Sequence, residues 1–375
     1  MANIFDYLDW RSDVPFSADP FNEVDNLVLS ELAYTNFRDI VPDDGTEVPL
    51  LDACAAFFSK HTREELLAGK SYTAKAPLLM EGMTGGARFR DITLSHYVDE
   101  VDPQQGLQMS AITIALPDGC RFIAFRGTDG TLVGWKEDFN ISFLSETAGQ
   151  KRAVQYLDQV GSSLDGSFII GGHSKGGNLA IYAASFCRPE IRNRIRAVYS
   201  NDGPGFRQDI LDSDGYLNIV ERSVQIVPDT SVIGQLLSNK SPRRVVKSSA
   251  SGIVQHDGFT WQVQRNRFEQ AAMSSSGEMI GQTLGGWLEQ MDDESRASFT
   301  ETVFSLIEST EKDTFSEISE QKLKSTGAIV NAGLEMPKEK RQELMKILGQ
   351  LGHSGSKTVS DYVSSFISKI QKSLN

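Results

Sequence analysis

Over roughly the first 90 residues, apolar positions recur at helical spacing. In "FNEVDNLVLSELAYTNF", Val24, Leu27, Val28, Glu31 and Leu32 fall on one stripe of a helix. A second helix is signalled by Thr62 with Glu65 three residues on, a capping pair in which each side chain satisfies the other's open amide. It is expected to run through Leu66 and Leu67 and stop at Gly69. From about residue 105 the period changes to two. "GLQMSAITIAL" alternates and is rich in β-branched residues, Pro117 to Gly119 is turn chemistry, and "CRFIAFRG" is a second apolar run, so a β-hairpin is predicted.

Strand-like runs then alternate with helix-like ones. The strands are "SFIIGG" (167–172), "IRAVYSN" (195–201), "SVQIVP" (223–228) and "RRVVKSS" (243–249). Between the first two lies "KGGNLAIYAASFC", with Leu179, Tyr182, Ala183 and Phe186 at helical spacing. Such alternation predicts an α/β fold, a mostly parallel central sheet flanked by helices. After about 265 the strand signals fade and helical patterns follow, one of them entered through Pro337, with "GHSGSK" (352–357) as a joint before the last. The expected division is a main domain over 1–270, including an amino-terminal helical segment of about 1–90, and a carboxy-terminal helical appendage over 271–375.

Composition narrows the classes. A net charge of -13 over 375 residues, with no Lys/Arg-rich run, argues against nucleic acid as a partner. Cys54, Cys120 and Cys187 are widely spaced and odd in number, which indicates neither a disulfide framework nor a zinc site. The start "MANIFDYLDWRSDV" has acidic residues where a signal peptide needs positive charge. No apolar run nears the roughly 20 residues that span a bilayer. A cytoplasmic protein is expected.

The chemistry gathers at "FIIGGHSKGGNLA", where a strand breaks into Gly172-His173-Ser174-Lys175-Gly176 before a helix. A serine in G-x-S-x-G between strand and helix is a nucleophile elbow: the turn is so tight that its neighbours must be small, and the hydroxyl is pushed clear. The Lys175 amide, at the start of the helix, faces any oxygen bound there. A serine hydroxyl needs a base, and that base needs an acid. His61 sits in a capping region, His96 precedes the sheet, His173 is locked in the elbow and His353 lies in the joint; His256, in "GIVQHDGFTW" after the last strand, remains. For the acid, Asp202 ends the strand after the elbow and enters the constrained turn Gly203-Pro204-Gly205, while Asp229 follows the next strand, the commoner location. The tighter turn favours Asp202, and Asp229 stays open. A second oxyanion donor is expected from "RGTDG", where Thr128 offers amide and hydroxyl and Gly127 lets the backbone approach.

These residues carry a resemblance. "FRGTDGTLVGWKEDF", with Trp135, Asp138 and Phe139, and "GGHSKGGNLA" resemble the corresponding segments of class 3 (fungal-type) lipases. In those lipases the residue matching Thr128 and the amide matching Lys175 form the oxyanion hole. "FNEVDNLVLSELAY", "HSKGGNLAIYAA", "SNDGPGF", "SVIGQLL" and "QHDGFTW" resemble, over about 1–270, a bacterial α/β-hydrolase-like family of unknown function. Two departures stand out. The lipase acid slot reads Gln225-Ile226-Val227-Pro228 here, and Lys175 replaces the apolar residue usual after the serine.

The resemblance implies an α/β-hydrolase fold with helical additions at both ends. It also implies a serine hydrolase acting on an acyl ester, a lipid-like one by preference, through Ser174, His256 and Asp202 or Asp229. That chemistry needs no cofactor and no metal. "SVIGQLLSN" is an apolar segment fit to form an acyl pocket or lid. The same machinery also serves thioesters or amides, and a hydrolase-shaped binding or regulatory protein is the reading outside catalysis. A transient contact with a membrane surface is compatible with a lipid substrate; oligomeric state is unread.

Overall fold

A computed structural model describes residues 1–68, 72–128, 132–275, 277–279, 281, 292–298 and 300. In chain order the elements are α1 (Ile4–Arg11), α2 (Glu23–Leu32), β1 (Val48–Pro49), α3 (Leu50–Phe58), α4 (Arg63–Ala68), α5 (Leu79–Thr84), β2 (Thr93–Asp102), β3 (Leu107–Ala115), β4 (Arg121–Phe125), α6 (Leu132–Asn140) and α7 (Ala148–Ser163). There follow β5 (Phe168–His173), α8 (Lys175–Phe186), α9 (Pro189–Arg192), β6 (Ile195–Asn201), α10 (Gln208–Leu211), α11 (Asp214–Ile219), β7 (Ser223–Pro228), β8 (Arg243–Val246), β9 (Val263–Gln264) and β10 (Arg267–Phe268). The expected helices beyond 300, the joint at 352–357, Gly69 and the side chain of Trp135 lie outside the described residues.

One eight-stranded sheet runs from β1 to β8 in chain order. Its first four strands pair antiparallel and β4 to β8 pair parallel. Sequential order has a physical consequence. Right-handed crossovers that always step the same way put their helices on one face of the sheet, and α7, α8 and α11 share a single core with Ile123, Phe125, Phe168, Ile170 and Val198. The other face must be covered by something else. Residues of α1, α2, α3 and α5 pack there with Phe122, Ala124, Ile169 and Ile226. Alternation along β4 and β5 thus sends successive side chains into two cores. The amino-terminal segment is a layer of the fold and not an addition to it.

The predicted hairpin is β3–β4, with Ala115 opposite Arg121. The Thr62–Glu65 capping pair is present at the start of α4: Thr62 N–H donates to Glu65 Oε2 at 3.0 Å and Glu65 N–H to Thr62 Oγ1 at 3.3 Å. Two expectations are corrected. His96 does not precede the sheet; it lies within β2, at φ 53°, where the register with β3 shifts between Ser95 and Val98. The α2 stripe is not one-sided, because α2 is buried on every face, Glu23, Asp25, Asn26 and Glu31 included. A helix clamped between a sheet and further helices has no solvent face to leave polar.

Candidate active site

The elbow at Ser174 links β5 to α8. Ser174 has φ 57° and ψ -131°, a conformation that non-glycine residues hold only when their surroundings force it. Space explains the flanking glycines: a Cβ at Gly172 would collide with the backbone of Gly176, and one at Gly176 with the carbonyl of Phe125. Ser174 N–H donates to Asn201 O at 2.9 Å, which ties the bend to the end of β6. Asn201 Nδ2 donates to Gly172 O at 3.1 Å, and Asn26 of α2 donates to Asn201 Oδ1 at 2.8 Å. The buried helix therefore braces the elbow from below.

His256 and Asp202 meet. Nδ1 of His256 lies 2.7 Å from Oδ2 of Asp202, whose side chain is fully buried. A second strained residue sits here, since Asp202 has φ 48° at the mouth of the Gly203-Pro204-Gly205 turn. Its other oxygen, Oδ1, accepts from Ser231 Oγ at 2.5 Å and from Gly234 N–H at 3.2 Å. Both donors come from the segment expected as an apolar pocket or lid. Part of it, Ile233–Gln235, is a 3₁₀ turn wrapped on the Asp202 carboxylate. Gln225, in the slot where the lipases carry their acid, donates to Gly203 O at 3.2 Å and Gly234 O at 2.8 Å, and so holds the two turns around Asp202 together.

Asp229 is turned elsewhere. Its Oδ1 accepts from Gln255 Nε2 at 2.8 Å and Thr230 Oγ1 at 3.1 Å. It steadies the residue before His256 rather than the imidazole. Neighbouring Asp257 accepts from Phe259 N–H at 3.0 Å and caps its own short turn.

On the oxyanion side, Thr128 is buried and its hydroxyl donates to Asp138 Oδ2 at 2.6 Å. One hydroxyl carries one proton. With that proton on Asp138, the amide is what Thr128 has to offer, which corrects the expectation of two donors. Burial pushes the Asp138 carboxyl up to about 6, against the opposing pull of the Lys175 charge and the Thr128 hydrogen bond. The Lys175 side chain, which stands where an apolar residue is usual, is 1 % exposed. Its Nζ donates to Gln108 O at 2.7 Å, to Gln108 Oε1 and to Glu137 Oε2 at 2.9 Å. Glu137 also accepts from Gly149 N–H at 2.5 Å and Gln108 N–H at 3.1 Å. A buried ion pair thus fastens α6 and the start of α7 to the elbow.

His173 is fully buried beneath these groups. Its Nε2 donates to the carbonyl of His256 at 2.7 Å, and the two rings lie 4.6 Å apart between centroids, tilted by 33°. Glu137 and Glu31 were not read as part of the site; Gln225 was read only as the residue standing in the lipase acid slot, and Ser231 only as the start of the apolar segment. Among the described residues, no group of three or more His, Cys, Asp and Glu is arranged to hold a metal ion, and no helix is long and apolar enough to cross a membrane.

A family model described as Mbeg1-like matches residues 83–305. The chain belongs to the Mbeg1-like family. That match contains Thr128, Ser174, Asp202 and His256, whereas α1 and α2 of this Mbeg1-like chain precede it. Among solved structures, the chain is similar to M37 lipase, with 15 % identity over 56 % of this chain and 68 % of that one, at a TM-score of 0.34. No curated protein matches it.

Proposed function

We propose that this Mbeg1-like protein is a serine hydrolase that cleaves an acyl ester through Ser174, His256 and Asp202. The observation that carries the reading is the 2.7 Å pairing of His256 Nδ1 with a buried aspartate, in a chain whose serine occupies a strained elbow. Asp202 accepts only, so Nδ1 carries the hydrogen and Nε2 presents a lone pair, the tautomer a general base needs. Ser174 Oγ attacks the ester carbonyl as Nε2 of His256 takes its proton. The Lys175 and Thr128 amides hold the oxyanion. Collapse breaks the ester C–O bond, His256 returns the proton to the leaving alcohol, and the acyl group stays on Ser174. Water, deprotonated by the same imidazole, then releases the acid. Asp202 remains ionised and stabilises the imidazolium.

A lipid-like ester is the substrate class this reading favours. Val254, two residues before His256 in the chain, is 60 % exposed, and Phe139, next to Asp138 in the chain, is also exposed; these are the apolar side chains the reading would assign to an acyl chain.

The test is turnover of p-nitrophenyl esters of increasing acyl length, beside matched thioesters and amides, by the wild type, D202N and D229N. The reading expects esters to be preferred, D202N to lose on the order of 10⁴-fold in kcat and D229N to lose less than about tenfold. Equal, small losses in the two variants would remove Asp202 from the mechanism.

A further inference from the structure

Beneath His256 lies a set of buried polar groups that the mechanism does not use. His173 reaches the His256 carbonyl with Nε2, and a carbonyl only accepts, so Nε2 carries a hydrogen. Burial holds the His173 imidazole well below the usual histidine range, with the neighbouring His256 adding to that effect. The ring is then neutral and Nδ1 must accept. The Tyr34 hydroxyl is 3.2 Å away and Glu31 Oε1 is 3.5 Å away.

Tyr34 has a competing acceptor, since its hydroxyl also lies 3.4 Å from the carbonyl of His173. One phenol proton cannot serve both fully. Glu31 can supply the second, provided it keeps its own proton. Its side chain is fully buried, neither carboxyl oxygen finds a hydrogen-bond donor among the described residues, and burial, together with the nearby Asp257 carboxylate, pushes it well above the ordinary glutamate range. A charged Glu31 here would be a fully buried carboxylate with no donor among the described residues; a protonated one has a hydrogen to give. The packing is close from both sides. A Cβ at Gly258, in the loop after His256, would collide with Glu31 Oε1, and one at Gly127, before Thr128, with the Tyr34 hydroxyl.

We propose that His173 is a positioning residue for His256, holding its carbonyl and supporting its ring, and that Glu31 with Tyr34 fixes the tautomer of His173 that makes this possible. The proposal deepens the hydrolase reading and rests on it. During turnover His256 becomes an imidazolium against the His173 ring; a neutral His173 adds no like charge there. The amino-terminal layer thereby reaches the catalytic base through Glu31 of α2, Tyr34 just after it, and His173.

The test uses the full-length protein with ¹⁵N-labelled histidine, read by NMR in the resting state, together with kcat and KM on p-nitrophenyl butyrate. In the wild type, His173 is expected to carry its hydrogen on Nε2 alone. E31Q keeps a donor at this place and should preserve the tautomer and kcat within about twofold; E31M removes the donor and should shift the His256 resonances and lower kcat roughly tenfold with KM held. Y34F should leave the tautomer in place, because Glu31 still donates. A proton on Nδ1 of wild-type His173 would overturn the proposal, whether or not any variant folds. So would E31M with unchanged kcat and His256 resonances, or E31Q and E31M losing thermal stability alike with no change in kcat per folded molecule. If the wild type hydrolyses no ester but His173 shows the Nε2–H tautomer, the hydrolase reading falls and the hydrogen-bonded unit stands.

Discussion

Asp25 and Glu31 share one helix, both are fully buried, and their surroundings treat them in opposite ways. Asp25 is saturated. It accepts from Tyr7 OH at 2.8 Å, from Arg88 Nε at 2.7 Å and from Arg88 Nη2, and its second oxygen caps Asn22 N–H at 2.9 Å. Arg88 in turn donates to the carbonyls of Val14, Asp19 and Pro20. Burial raises the Asp25 pKa, and these hydrogen bonds and the guanidinium charge oppose that rise. Glu31 has no such set among the described residues and lies 3.5 Å from His173 Nδ1. The contrast teaches how to tell a buried acid that anchors a chain segment from one set beside chemistry. The first is recognised by its donors and the second by their absence.

The largest effect expected on the anchoring side is for R88M. Stranding Asp25 without its cation should cost about 3–5 kcal/mol in urea unfolding, because a buried charge loses its partner. The ester rate per folded molecule should not change. A rate that falls together with the stability would erase the distinction between the two acids.

Asp138 is an intermediate case that sharpens the comparison: Oδ2 accepts the Thr128 hydroxyl, while Oδ1 is buried without a partner among the described residues. Its folded pKa of about 6 lies above the 3.8 of an ordinary aspartate. Between those values the folded protein binds a proton that the unfolded chain does not. Stability from this group is therefore present below the unfolded pKa and is lost as pH rises through about 6, by an amount on the order of 3 kcal/mol. D138N should flatten that part of the stability–pH curve, measured by thermal unfolding from pH 4 to 7. An unchanged slope would show that Asp138 titrates as an ordinary carboxylate.

Much of the sheet was legible because its strands are local patterns. β6 and β7 coincide with the predicted runs "IRAVYSN" and "SVQIVP", and the elbow stands between the strand and helix its motif requires. β2 was missed because its middle carries His96, Tyr97 and acidic residues, and the irregularity after Ser95 breaks the period of two. α7 went unread although Thr147 and Gln150 form the same kind of capping box that revealed α4. The choice between Asp202 and Asp229 could not be made from the chain alone. Both follow strands, and what separates them is which groups fold back onto each carboxylate: the His256 and Ser231 side chains and the Gly234 N–H on one, the Gln255 and Thr230 side chains on the other. Glu31 was hidden for a related reason. A glutamate on an apolar stripe looks like the edge of a solvated face until the sheet's sequential strand order requires that face to be covered.

The central claim is that Ser174 is the nucleophile made reactive by His256. The most direct measurement is mass spectrometry of the peptide carrying Ser174 after exposure of the wild type, S174A and H256A to a fluorophosphonate. The account predicts one phosphonyl adduct, on Ser174 in the wild type, none in S174A and labelling slowed by several orders of magnitude in H256A with its fold intact. An adduct on another serine, or H256A labelling at the wild-type rate, would contradict it.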